Sequence, residues 1–234
     1  MFERLKKVFG QDPSSARGPT SKTPRHPAPP DVAAWAEFEG LTSGATPQTQ
    51  SYHVAGTLGG KPWKMEVGRS SRDYIHGEEL RARGELVTNE DAAVLVMSRP
   101  LKDALERRAY QAYTDTLQTT ADPSLPEEMR WLAMYPEVGW DALPLPFWKR
   151  FSVMADQKAQ AVAWLHADLA VELMALPTAD DGSDIPFILM MLRGKPYLRM
   201  QYTPAVLSTL QQATHIFTMA SQSAVANLST DIPL

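Results

Sequence analysis

Residues 58–67 read LGGKPWKMEV, and residues 192–201 read LRGKPYLRMQ. Both copies run leucine, one variable residue, Gly-Lys-Pro and an aromatic, with apolar residues on either side. Glycine gives a backbone that can reverse and proline fixes φ, so each copy predicts a hairpin turning at Gly-Lys-Pro. After the first turn, Trp63, Met65 and Val67 share one face of a strand, with Lys64 and Glu66 on the other. Two hairpins of one design imply two related halves, at 32–121 and 147–228.

Outward from the first hairpin, SYHVAGTL at 51–58 alternates as its incoming strand, and LRARGELV at 80–87 alternates again. Gly84 falls on the apolar face of that second run, which predicts a bulge or a close backbone approach. Residues 93–97 form a continuous apolar run, a buried strand. Leu101, Leu105, Ala109, Tyr113 and Leu117 then recur at helical spacing behind Ser98 and Pro100. A short helix is expected over 126–134, with Glu127 and Glu128 in its first turn. Later come a strand at 151–155, one continuous helix over 159–176, the second hairpin at 186–202 and a last helix from Pro204 to about residue 226. That order predicts an α+β fold, a two-layer sandwich of a largely antiparallel sheet with helices on one face. The free apolar edge expected at Ile188–Leu192 would suit a homodimer.

Before the domain at 32–228 lie two further segments. Residues 1–10, MFERLKKVFG, put Phe2, Leu5 and Phe9 at amphipathic spacing, a docking foot for a partner protein or a membrane surface. Residues 11–31 hold Pro13, Pro19, Pro24, Pro27, Pro29 and Pro30 and almost no apolar content, the composition of a flexible linker.

The 234 residues are 44% hydrophobic, enough for one sizeable core. Cysteine is absent, which removes disulfides, thiolate metal sites and cysteine nucleophiles together. Net charge is −4 and the pI about 5.7, against the basic excess of a nucleic-acid binder. With no apolar run of spanning length and no secretory h-region, the expectation is a cytoplasmic protein.

Catalytic and cofactor patterns do not assemble. The five histidines, His26, His53, His76, His166 and His215, lie far apart with no HExxH pair, so neither a metal nor a cofactor is expected. No GxSxG elbow or phosphate loop occurs. The best constellation is GRSSRDYIHGEELRAR at 68–83. Arg69, Arg72, Arg81 and Arg83, with Lys61 and Lys64 close by, could converge on a phosphate or carboxylate, and Tyr74 or Trp63 could stack on a ring. Against this, Asp73, Glu78, Glu79 and Glu85 are interleaved, and a solvated, salt-bridged strand pair explains the same residues. Trp131, Trp140 and Trp148 cluster in an irregular proline-rich stretch. They read either as a partner surface or as anchors of a long connection.

SRDYIHGEELRARGEL, LVMSRPLKDALE and PEEMRWLAMYPEVGW together resemble a family of uncharacterised bacterial proteins. The resemblance implies a bacterial origin and carries no activity. The sequence thus favours a non-catalytic interaction or regulatory module. The alternative is an enzyme or sensor holding an anion through Arg69, Arg72 and Arg81, with His76 or Glu78 as acid–base.

Overall fold

The computed structural model describes residues 28–46, 51–116 and 127–228. Phe2, Leu5, Phe9 and the proline-rich stretch up to residue 27 lie outside them. In chain order the elements are α1 (Pro30–Phe38), β1 (Thr42–Thr46), β2 (Ser51–Leu58), β3 (Lys61–Arg69), β4 (Glu78–Gly84), β5 (Ala93–Ser98), α2 (Arg99–Thr116) and α3 (Glu127–Met134). They continue with β6 (Glu137–Val138), α4 (Leu145–Arg150), β7 (Phe151–Ala155), α5 (Lys158–Trp164), α6 (Ala167–Met174), β8 (Phe187–Leu192), β9 (Lys195–Gln201) and α7 (Leu207–Asn227). Among the described residues no helix is long and apolar enough to cross a membrane.

Both hairpins form, but they turn one step earlier than Gly-Lys-Pro. Leu58 pairs with Lys61, and Leu192 with Lys195. The two-residue loops are Gly59–Gly60, at φ 57° and 76°, and Arg193–Gly194, at φ 53° and 69°. Two successive left-handed residues match the right-handed twist of the flanking strands, the usual geometry of so short a loop. Lysine and proline therefore open the outgoing strand. The elements around the two copies differ: β4 and β5 follow the first, α7 the second.

The nine strands form one sheet, antiparallel at every pairing, in the order β1-β2-β3-β4-β9-β8-β5-β7-β6. The α+β expectation holds. One consequence corrects the sequence reading: Ile188–Leu192 lies in β8, hydrogen-bonded to β9 and β5 on its two sides. It offers no free edge, so the dimer argument built on it falls.

Alternate residues of the central strands feed two cores. Val94 and Val96 of β5, with Phe187, Leu189 and Met191 of β8, meet Trp164, Leu169, Leu173, Leu210 and Phe217 from α5, α6 and α7. This is the expected sandwich. The opposite residues, Leu95, Met97, Ile188 and Met190, meet Leu101 and Leu105 of α2 and Met129 and Trp131 of α3. The central strands are apolar on both faces, so helices cover them on both sides. The sandwich is three layers thick there instead of two.

The helix expected over 159–176 is two. Leu165, at φ −91° and ψ 75°, breaks it, and His166 restarts the chain by accepting the Leu169 amide at its Nδ1, 3.3 Å. Apolar spacing runs through such a break because both pieces bury the same side. The expectation at Gly84 is met as a close approach. Trp63 stands between Gly56 and Gly84, its partners on the two neighbouring strands, and leans on Phe217 at 5.9 Å between ring centroids.

A methyl at Gly56 would come within 2.9 Å of the Trp63 ring and 2.8 Å of Leu41. Gly56→Ala should therefore cost about 1–3 kcal/mol, the usual range for overpacking. Urea unfolding measures it, and an unshifted midpoint would show that the indole is not held by its glycine neighbours.

Candidate functional site

The second face of the sheet changes character halfway across. One cross-strand row runs Glu66, Arg81, Arg199, Ile188 and Met97; the next runs Lys64, Arg83, Tyr197, Met190 and Leu95. Strands β3, β4 and β9 thus present charge, whereas β8 and β5 present hydrocarbon. Strand alternation alone produces this, since one face of LRARG and of KPYLRMQ is charged. Helices α2 and α3 pack on the hydrocarbon part.

Helix α3 is also fixed to the charged part. The Glu128 side chain is 1% exposed, and its Oε1 accepts from Arg72 Nε at 2.6 Å, Arg199 Nη1 at 2.8 Å and the Tyr74 hydroxyl at 3.0 Å. Its Oε2 is buried without a hydrogen-bond partner. Glu79 in β4 is fully buried as well. Its Oε2 accepts from the Ser71 amide at 2.7 Å and the Ser71 hydroxyl at 3.1 Å. Arg199 Nε stands 3.0 Å from Glu79 Oε1, within ion-pair distance though not aligned as a hydrogen bond. Two buried carboxylates therefore share two guanidiniums.

Burial by itself would raise the Glu128 pKa. The hydrogen bond from Arg72, its own backbone amide and the charges of Arg72 and Arg199 outweigh burial and hold it below the ordinary carboxylate value. Tyr74 is pushed well up, first by burial and then by the Glu128 charge. Glu66 follows the Glu128 pattern: burial opposes, but Lys64, hydrogen-bonded at 2.5 Å, and Arg81, at 3.7 Å, lower it.

Between this network, the β8–β9 hairpin and α3 lies a hollow of about 770 Å³. Lys64, Arg81 and Arg83 come to it from β3 and β4, Arg72 from the loop between those strands, Arg130 from α3, and Arg193 and Arg199 from the second hairpin. Its acids are Glu66, Glu127 and Glu128, so seven cations face three carboxylates in a chain whose net charge is −4. Arg72 and Arg199 are held by Glu128, and Lys64 and Arg81 share Glu66. Among the described residues Arg83, Arg130 and Arg193 have no ion-pair partner. Arg193 holds a left-handed backbone that costs a non-glycine residue roughly 1 kcal/mol. The first hairpin has Gly59 at the same place.

Of the residues read from the sequence, Arg72 and Arg81 reach the hollow, together with Arg83 and Lys64. Tyr74 serves the Glu128 network. Arg69 is exposed at the end of β3, opposite Glu78, and does not line the hollow. His76 and Glu78 are exposed and also outside it; their amides donate to Gln201 Oε1 and Thr203 Oγ1, each as a loop anchor. Trp131 is 9% exposed; it roots α3 in the smaller core and also lines the hollow. Trp140 and Trp148 stack edge-on at 5.1 Å, and Trp148 Nε1 donates to the Leu143 carbonyl at 3.2 Å. Both anchor the connection to the main core. Arg130, Arg193, Arg199 and Tyr197 were missed. For β9 the alternation Tyr197, Arg199, Gln201 was the available signal; placing it beside Arg81 and Arg83 required the sheet order.

Among the described residues no group of three or more histidine or acidic side chains could hold a metal ion. No protein-family model matches the chain, and no curated protein does. A solved structure, the crystal structure of the mycobacterial trehalose monomycolate transport factor A, TtfA, is similar over 87% of this chain and 96% of that one. The two share 9% identity, with a TM-score of 0.46, too little to carry an argument about ligand or activity.

Removing the Glu128 charge would leave Arg72 and Arg199 unanswered under α3. Glu128→Gln should cost about 3 kcal/mol, near the lower end for breaking a buried pair. A carboxylate whose folded pKa is lowered adds stability above its unfolded pKa, about 4.3, and loses it as pH falls through the folded value. Wild-type stability should therefore stay level from neutral pH to about 5 and fall below about 4, with a shallower fall in Glu128→Gln. Parallel acid profiles would remove Glu128 from the account.

Proposed function

We propose that this protein is a non-catalytic binding module, and that its ligand is an anion received in the hollow between α3 and strands β3, β4 and β9. The observation that carries this is the excess of cations there. Arg83, Arg130 and Arg193, all exposed, line one concavity and have no ion-pair partner among the described residues, next to a fourth and fifth cation that share a single acid. Unpaired like charges repel one another, so gathering them costs stability unless something answers them. The left-handed Arg193 supports the same reading. Glycine would relieve the strain, as Gly59 does in the sister hairpin, yet a guanidinium stands at the hollow's rim. The guanidinium fork suits phosphate and carboxylate.

The catalytic alternative needs His76 or Glu78 beside the bound anion. Both sit at the exposed β4 end of the preceding loop, outside the hollow, so the module reading is the better supported.

Inorganic pyrophosphate is a suitable probe at low ionic strength, where exposed charges are least screened. At a hundredfold excess over Kd it should add about 2.7 kcal/mol, read as a rise in Tm of several degrees. Arg81→Ala with Arg83→Ala should abolish the rise, and Arg69→Ala should keep it. Arg193→Gly should leave stability unchanged or raise it by up to about 1 kcal/mol while weakening the response. Equal responses from wild type and the Arg81/Arg83 double variant, or none from either, would overturn the anion reading.

A further inference from the structure

The hollow has two chemistries, and their positions relative to each other narrow the ligand class. Its cationic side is β3 and β4, with Lys64, Arg81 and Arg83. Its other side, across β9, adds an apolar part: Met190 lies on the floor, Leu192 and Tyr197 are half-buried beside it, and Met134 ends α3 with 60% of its surface exposed, while Arg193 next to Leu192 and Arg130 one turn before Met134 border that part. The change from charge to hydrocarbon falls between β9 and β8, within the hollow. A site for a fully hydrated anion such as free phosphate has no need of an apolar wall, and a plain apolar groove has no need of three unpaired arginines. Small-molecule sites combine the two when the ligand does.

We infer that the ligand is an amphipathic anion, a phosphate or carboxylate carrying an aliphatic chain, bound as a single molecule. Its charged group lies against Arg81, Arg83 and Lys64, and its chain against Met134, Leu192 and Tyr197. This rests on the anion reading above and adds the chain. Lys64 and Arg81 can turn from Glu66 to the ligand without a partner being lost from the buried network, because that network uses Arg72 and Arg199. Methionine suits chains of varied shape, since its flexible thioether repacks easily. The hollow is concave and bounded by α3, which favours a monomer over the flat surface of a bilayer.

Isothermal titration of the full chain with decyl phosphate below its micelle concentration, inorganic phosphate and decyl maltoside separates the possibilities. Decyl phosphate should bind about tenfold or more tighter than inorganic phosphate, because each buried methylene adds affinity. It should also exceed decyl maltoside by about tenfold, because the neutral head forms no ion pair. Met134→Ser, at an exposed position that the fold does not need, should weaken decyl phosphate several-fold and leave inorganic phosphate unchanged. Equal affinity for the two phosphates would overturn the amphiphile while leaving the anion reading standing. Equal affinity for decyl phosphate and decyl maltoside, or no binding of either phosphate, would overturn both. Co-sedimentation with phosphatidylglycerol vesicles, without binding of monomeric decyl phosphate, would overturn the single-molecule ligand and make the face a bilayer contact.

Discussion

A carboxylate buried under a helix must be neutralised from whatever surface the helix lies on, and Glu128 meets that need with Arg72 and Arg199. Arg199 comes from β9 in the charged part of the sheet and Arg72 from the loop joining β3 to β4, whereas the rest of α3 packs through Met129 and Trp131 on the apolar part. Helix α3 is therefore tied on both sides of the boundary between β9 and β8. The ion pairs add a second tie across the boundary, and the hollow lies between α3 and the charged strands. Buried ion pairs are often no better for stability than hydrocarbon of the same shape, because desolvation offsets attraction. Their geometric consequence, a helix fixed in one place, is better secured than any net gain in energy.

The boundary itself arises from strand order. The second hairpin is inserted into the sheet centre, so that β9 meets the charged β4 and β8 meets the apolar β5. Its outgoing strand carries Tyr197 and Arg199 and its incoming strand Ile188 and Met190 on the same face. A single hairpin thus spans both chemistries. Its turn residue Arg193 adds a further cation at the rim.

Much of the architecture was legible in the sequence because it depends on local rules. Alternation located β2, β3 and β4, a continuous apolar run located β5, the repeated hairpin motif located β8 and β9, apolar spacing located α2 and α7, and the acidic first turn located α3. The glycine at 84 announced either a bulge or a close approach, and the structure has the second. What stayed hidden was non-local. The turns lie one step before the Gly-Lys-Pro that the two copies share, because the register is set by the pair of left-handed residues, Gly59–Gly60 and Arg193–Gly194, and the second pair hides behind an arginine. The break at Leu165 and His166 leaves the apolar stripe intact, so periodicity passes over it. The strand β8 read as an edge, since an apolar run looks the same whether or not a neighbour covers it.

The site shows the same division more sharply. Arg72 and Arg81 both line the hollow, yet in unlike roles: Arg72 is committed to the buried Glu128, while Arg81 shares Glu66 with Lys64 and stays nearer the solvent. From sequence the interleaved acids neutralise most of the cationic field. In space the acids sort by depth. Glu79 and Glu128 go inward and are answered there by Arg72 and Arg199, while Asp73 pairs outward with Arg108. Lys195 is likewise drawn to Glu85. Counting charges along the chain measures an average field, whereas a ligand meets only those charges left unanswered at one surface. Here the remainder is positive, on a chain whose total is negative.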